Sequence, residues 1–213
     1  MEAAGQASLE QRIAALERRA QAAEDHLAIQ NLQAAYGYYV DKTLYDEAAD
    51  LFAADATLEI AGRGLFRGQA RIRTYLNALP ALEHGTVFNH MQLQPVIHVA
   101  PDGQSAAGRW RAFIQIGWLG REARWGEGIY ENRYVREDGV WKIARLHFFT
   151  TYYVEYDRGW NHGGVPLAPP LADAMPDAAA TIAYGAFPHV FVPPFHYANP
   201  VTGRAFAAPE EPA

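Results

Sequence analysis

Between residues 140 and 153 apolar and polar side chains alternate: Trp141, Ile143 and Phe149 stand against Lys142, Ala144 and Thr150. A period of two predicts a strand whose faces meet different surroundings, and the aromatic and β-branched content agrees. Residues 121–136 precede it through Glu137-Asp138-Gly139, a hairpin signal because glycine tolerates the positive φ of a tight reversal. Two long antiparallel strands need a second layer for their apolar face. Near the N-terminus the period changes. Residues 8–35 hold neither Pro nor Gly and are rich in Ala, Glu, Gln, Leu and Arg, which predicts helix. Leu9, Ile13, Leu16, Ala20, Ala23 and Leu27 follow at alternating four- and three-residue steps, a heptad seam sustained for under three heptads. That seam suits a helix lying on its own domain or one contacting a neighbouring subunit. From about 25 to 41 the apolar positions Leu27, Ile29, Leu32, Ala35, Tyr36 and Tyr39 form a broader stripe. The pattern leaves open whether the two helices are continuous.

The remaining elements are shorter. Asp46, Glu47, Leu51 and Phe52 read as a short helix with an acidic first turn, and residues 55–60 as a strand. Gly62, Gly64 and Gly68 punctuate a turn and a small ribbon carrying Leu65 and Phe66. A third helix runs over 69–79 and stops at Pro80. Strands follow at about 84–99 and, after Pro101-Asp102-Gly103, at about 104–119. Helices first and a long meander after them predict an α+β fold, with helices on one face of a strongly curved, mainly antiparallel sheet. Residues 157–213 differ: ten of the thirteen prolines lie there, with a short helix predicted near 177–184. Phe187, Val190, Phe191, Val192, Phe195 and Tyr197 make this tail too apolar for disorder, so it is expected to wrap a groove, its own or a neighbour's. The expected division is a helical extension at 1–25, a barrel domain at 26–156 and an extended aromatic tail at 157–213.

Composition narrows the chemistry. A formal charge of −6 disfavours nucleic acid or an anionic membrane as partner. Cysteine is absent, which removes disulfides, thiol nucleophiles and thiolate zinc sites. Serine occurs only at 8 and 105, against a Ser-His-Asp hydrolase. Neither a signal-type apolar run nor a stretch of about 20 apolar residues occurs, so a cytoplasmic protein is expected. An aromatic share of 13% suits an aromatic-lined pocket or a large core.

A Tyr-rich helix end followed by Asp41, the run Asp46-x-x-x-x-Leu51-Phe52, the Asp55-Ala-Thr strand, Phe66-Arg-Gly68 and the terminal Asp138-Gly-Val-Trp-Lys-Ile143 occur here in that order. Over residues 26–154 this set resembles the SnoaL-like branch of the nuclear transport factor 2-like superfamily. The resemblance implies a cone-shaped α+β barrel whose mouth opens between the helices and the inner sheet face. Its members include scytalone dehydratase, steroid isomerases, polyketide cyclases, dioxygenase small subunits and binding modules, so the fold alone does not fix the function.

In scytalone dehydratase-like members an Asp at the position of Asp41 orients a His on a sheet strand, and His90 stands at the matching place. A carboxylate fixes the tautomer of such an imidazole and makes it a competent general acid/base near neutral pH. The plainer alternative is that Asp41 caps a turn and His90 is a hydrogen-bonded core residue. The match departs elsewhere. Gln115 stands where that family has a second His, Tyr130 where it has an Asn, and Val40 where it has a helix Tyr, with Tyr38 or Tyr39 as substitutes. If Gln115 faces inward, the period of two carries Arg109, Arg111 and Phe113 inward with it. The arginines would then hold a phenolate or carboxylate, or else pair with Glu122, Glu127 or Glu131 across the sheet. His147 and Arg145 share parity with Trp141 and Ile143, so one of them is expected to line the pocket. No histidines stand at metal spacing in a helix and no glycine loop has a nucleotide-binding context, so neither metal nor cofactor is expected.

The long N-terminal helix and the aromatic tail together also resemble bacterial diarylpropane lyases, which remove formaldehyde and water from lignin-derived diaryl diols without a cofactor. Three classes follow: a cofactor-free lyase on a phenolic or diaryl small molecule, an isomerase or cyclase in the same cone, or a non-catalytic binding subunit. A homo-oligomer is expected from the exposed seam, and resemblance to scytalone dehydratase favours a trimer over a dimer.

Overall fold

The structure, a computed structural model, describes residues 8–207. One helix, α1 (Leu9–Asp41), covers both predicted segments without a break; Ser8 and Gln11 close a reciprocal capping box at its start. After it come α2 (Tyr45–Asp50), β1 (Phe52–Ile60), β2 (Gly64–Arg67), α3 (Gln69–Asn77), β3 (Thr86–Val99), β4 (Ser105–Trp118), β5 (Glu122–Glu137) and β6 (Val140–Glu155). The six strands form one open sheet in the order β2-β1-β6-β5-β4-β3, antiparallel except where β1 pairs β6. Phe52 opens β1 instead of closing a helix, and it is fully buried.

The core lies between the helices and the inner face of the sheet. On α1 the buried side chains Ile29, Gln33, Tyr36 and Val40 recur at steps of four, three and four, one helical face. Facing them are Trp110, Ala112 and Ile114 from β4, and Tyr130 and Tyr134 from β5. β6 adds Trp141 and Ile143, then Leu146 and Phe148. Its inner parity changes because the register with β5 shifts twice. Arg133 pairs Arg145 while Tyr134 pairs Ile143, and Gly128 pairs Thr150 while Glu127 pairs Tyr152. Ala144 and Thr151 are thus extra residues on β6, and each bulge transfers the following side chains to the other face. At the hairpin Asp138 and Gly139 both have positive φ, as a two-residue reversal requires.

Most of the tail lies on the outer face of its own sheet. Asp177 pairs Arg71 and accepts from the Arg67 amide at 2.8 Å, while Ala178 bridges Leu65 of β2. These bonds to β2 hold the chain extended, so the helix expected at 177–184 does not form. Further on, the Tyr184 hydroxyl accepts from the Thr150 amide at 2.8 Å and its ring stacks on Phe191 at 4.5 Å. Phe195 lies under the Arg109 guanidinium at 3.8 Å, and His196 contacts Glu131 at 2.9 Å. Tyr184, Phe191 and Phe195 of the tail are therefore packed on this chain's own sheet.

Under the tail lies a buried pair, Glu59 and His147, 3.3 Å apart. Thr181 donates to Glu59 through its amide at 2.6 Å and its hydroxyl at 2.9 Å. Burial lowers the pKa of His147 below the ordinary imidazole range; Glu59 opposes the shift and Arg145 adds to it. The unfolded chain consequently takes up this proton more readily than the folded one. The resulting stability is full above the unfolded value of about 6.5 and is lost as the pH falls toward the folded value. Thermal denaturation is expected to show a Tm that drops between pH ~7 and ~5, with a shallower slope in His147→Gln. An identical slope in both proteins would exclude this source.

Candidate active site

The helix α1 stops at Asp41, beside His90 of β3. Gly37 makes the approach close: a Cβ there would fall 2.8 Å from Gln92 Cγ and 3.1 Å from the His90 carbonyl oxygen. The missing side chain lets the helix press on the strand and brings Asp41 to His90. Asp41 Oδ1 accepts from the His90 amide at 2.7 Å and lies 2.9 Å from Nδ1 of its ring. With the proton on Nδ1, the neutral ring keeps its lone pair on Nε2. Gln92 donates to the His90 carbonyl at 2.9 Å and accepts from the buried Gln33 at 2.8 Å, which locks the strand from below.

The His90 ring lines a cavity of about 480 Å³, within the range of roughly 300–1,000 Å³ usual for small-molecule sites. Its walls are apolar: Phe88, Ile114, Ile116, Trp118 and Phe148 from the sheet, Leu76 and Leu79 from α3 and the turn after it. Tyr36, Tyr45, Tyr75, Tyr130 and Tyr153 also line it. Burial raises the phenols of Tyr36, Tyr130 and Tyr153 well above their usual range, and pushes Tyr45 and Tyr75 up to about 12. These phenols stay protonated at neutral pH and act as hydrogen-bond donors. Near the mouth stand Arg63 and Arg124. Arg124 pairs Glu122 at 2.7 Å, whereas Arg63 has no carboxylate partner among the described residues and donates to the Pro169 carbonyl at 2.7 Å. Tail residues 165–169 close this side of the cavity.

Of the side chains expected from sequence, Asp41, His90 and Tyr130 come together here. Tyr38 does not: it is 72% exposed, and Tyr39 packs on the core without lining the cavity. The inward tyrosine is Tyr36, which shares a helix face with Val40. Arg109, Arg111, Phe113 and Gln115 are on the outer face, because their neighbours Trp110, Ala112, Ile114 and Ile116 occupy the inner one. Arg109 pairs Glu131, Arg111 pairs Glu127, Phe113 packs on Trp125 at 5.4 Å, and Gln115 accepts from Asn89 at 3.0 Å. His147 also faces outward, carried there by the bulge at Ala144. Sequence reasoning missed Tyr36, Tyr75, Tyr153, Arg63 and Arg124, and it named no individual tail residue for the groove the tail was expected to wrap. For β4 a signal existed: the bulkier, uncharged residues mark the even positions as the buried parity. Among the described residues no three His, Asp or Glu side chains gather in a metal-holding arrangement.

Residues 21–147 match the family model of the SnoaL-like domain. The chain belongs to that family, on the nuclear transport factor 2-like cone. No curated protein matches it by sequence. Among solved structures it is similar to a scytalone dehydratase candidate from Novosphingobium aromaticivorans, with 21% identity, TM-score 0.59, and coverage of 72% of this chain and 97% of that one. A hexachlorocyclohexane dehydrochlorinase, LinA-type3 from Novosphingobium barchaimii, gives 21% identity, TM-score 0.58, and coverage of 71% and 99%. A protein of unknown function from Mycobacterium tuberculosis gives 25% identity, TM-score 0.51, and coverage of 58% and 74%. The likeness to the first two establishes the fold. No helix among the described residues is long and apolar enough to cross a membrane.

Proposed function

We propose that this SnoaL-like protein is a cofactor-independent lyase that acts by general acid/base catalysis on a phenolic or diaryl small molecule. The observation that carries the reading is the Asp41–His90 couple on the wall of an aromatic cavity. His90 Nε2 takes the proton, and the Asp41 carboxylate beside Nδ1 stabilises the imidazolium that forms. A neutral phenol, Tyr130 or Tyr36, donates to the oxygen that leaves. Arg63 faces the developing phenolate charge at the other side of the cavity. The names of the similar structures, a dehydratase candidate and a dehydrochlorinase, agree with eliminations in this cone.

The finer reading is a diarylpropane diol as substrate, supported by the resemblance carried by the long first helix and the aromatic tail. In that reaction the base takes the terminal hydroxyl proton and the carbon–carbon bond breaks to release formaldehyde. The freed electron pair forms the stilbene double bond, and the benzylic hydroxyl leaves as water with the proton supplied by the acid. The test is incubation with a phenolic diaryl diol after exhaustive chelation, following conjugated absorbance and formaldehyde. Both products at an undiminished rate are expected. Conjugation without formaldehyde would replace the finer reading by simple dehydration. No turnover of phenolic diols, or recovery only on adding a divalent ion, would overturn the proposal.

Arg63→Met is expected to raise KM about tenfold, about 1.4 kcal/mol of binding, with a smaller change in kcat. Steady-state kinetics on a phenolic substrate and its O-methylated analogue check it: the difference between the two substrates should vanish in the variant. An unchanged difference would remove Arg63 from the site.

A further inference from the structure

Among the described residues nothing covers the apolar seam of α1 between Leu9 and Leu27. Leu9, Ile13, Leu16 and Leu27 are 70, 46, 60 and 60% exposed, and they form one seam with Ala20 and Ala23. Asp25, buried against Arg136 and Trp141, marks where the helix joins the body. With Leu9, Leu16 and Ala23 at d and Ile13, Ala20 and Leu27 at a, the flanking rows separate by charge. Glu10, Glu17 and Glu24 occupy e; Arg12, Arg19 and His26 occupy g. None of these acidic or basic residues has an ion-pair partner within the chain among the described residues.

From this arrangement we infer that the N-terminal helix docks on the same helix of a second copy of the chain, in parallel and in register. In a parallel coiled coil the g residue of one helix meets the e residue of the next heptad on its neighbour. Arg12 would then face Glu17, and Arg19 would face Glu24, on both sides of the seam. An antiparallel pair would set e against e and g against g, Glu against Glu and Arg against Arg. The charge rows therefore select a second copy in one orientation. They leave the number of copies to the domains, since alanines at a and d specify none. Parallel helices place the Asp25 ends, and the barrels attached to them, at the same end of the assembly.

The chain has no cysteine, so one introduced thiol reports orientation directly. In full-length protein Leu9→Cys and Ala23→Cys are each expected to form a disulfide-linked pair at least ~10-fold faster than Val201→Cys, an exposed control. In an antiparallel pair centred on the seam, residue 9 would lie about 27 Å from its counterpart at 1.5 Å per residue, and neither variant would cross-link. Arg12→Glu/Arg19→Glu should lose mass by light scattering, as should Glu17→Arg/Glu24→Arg, with the far-UV circular dichroism of each retained. Mixing the two should restore the mass. A monomeric wild-type chain at micromolar concentration overturns the inference. So does an oligomer whose Leu9→Cys and Ala23→Cys forms cross-link no faster than the control, or whose mass the charge inversions leave unchanged.

Discussion

Asp41→Asn and His90→Ala are each expected to lower kcat by at least ~100-fold with the fold intact. Asparagine is the informative replacement at 41 because its carbonyl oxygen can still accept from the His90 amide and from Nδ1. Alanine would leave that amide without its partner, at about 1–3 kcal/mol, and mix a structural loss with a chemical one. The Asn variant removes only the negative charge that favours the imidazolium. If His90 is the base, the loss appears in kcat with KM little changed, because the interaction matters only once the proton moves. Circular dichroism and Tm establish that the fold persists. Turnover near the wild-type level in either variant would end the assignment.

The sequence made the ends of this site readable and left its walls obscure, for physical reasons. Asp41 and His90 lie in elements whose order and boundary motifs are visible, the close of a long helix and the middle of a strand. Their meeting also depends on Gly37, whose lack of a side chain is felt only once the partner strand is present. The walls depend on parity. A strand with a period of two offers two faces, and taking Gln115 as inward reversed all of β4. Trp110, Ile114 and Ile116 carry the apolar bulk and are the better guide. On β6 no parity rule could hold throughout: the bulge at Ala144 turns His147 outward and Phe148 inward, and the one at Thr151 reverses the parity again. Nothing in the local sequence marks them. The tail shows a different effect. Its 177–184 stretch has local helical character, yet bonds to β2 and Glu59 outweigh it.

A chain ending at residue 158 is expected to lose at least ~10 °C in Tm and to bind hydrophobic dyes. The tail packs Tyr184, Phe191 and Phe195 on the outer sheet face, where they meet Phe149 and Arg109. Covering one large apolar side chain stabilises by about 1.5–3 kcal/mol, and a domain of this size shifts its Tm by roughly 2–4 °C per kcal/mol. Truncation also leaves Glu59 without Thr181, its hydrogen-bond donor, and opens the buried contact between Glu59 and His147 to water. Ordering entropy regained by the freed segment offsets part of this loss, less so because its prolines restrict the free chain. The catalytic consequence is separate. Residues 165–169 form one side of the cavity and hold Arg63 through the Pro169 carbonyl. Without them water enters, and kcat/KM is expected to fall at least ~10-fold even well below the new Tm. The two effects separate through Thr181→Ala, which loosens the tail at Glu59 but keeps the wall: its Tm should drop by a few degrees with kcat/KM nearly unchanged. A truncated chain with wild-type Tm and kcat/KM would show that the tail neither stabilises the sheet nor closes the cavity.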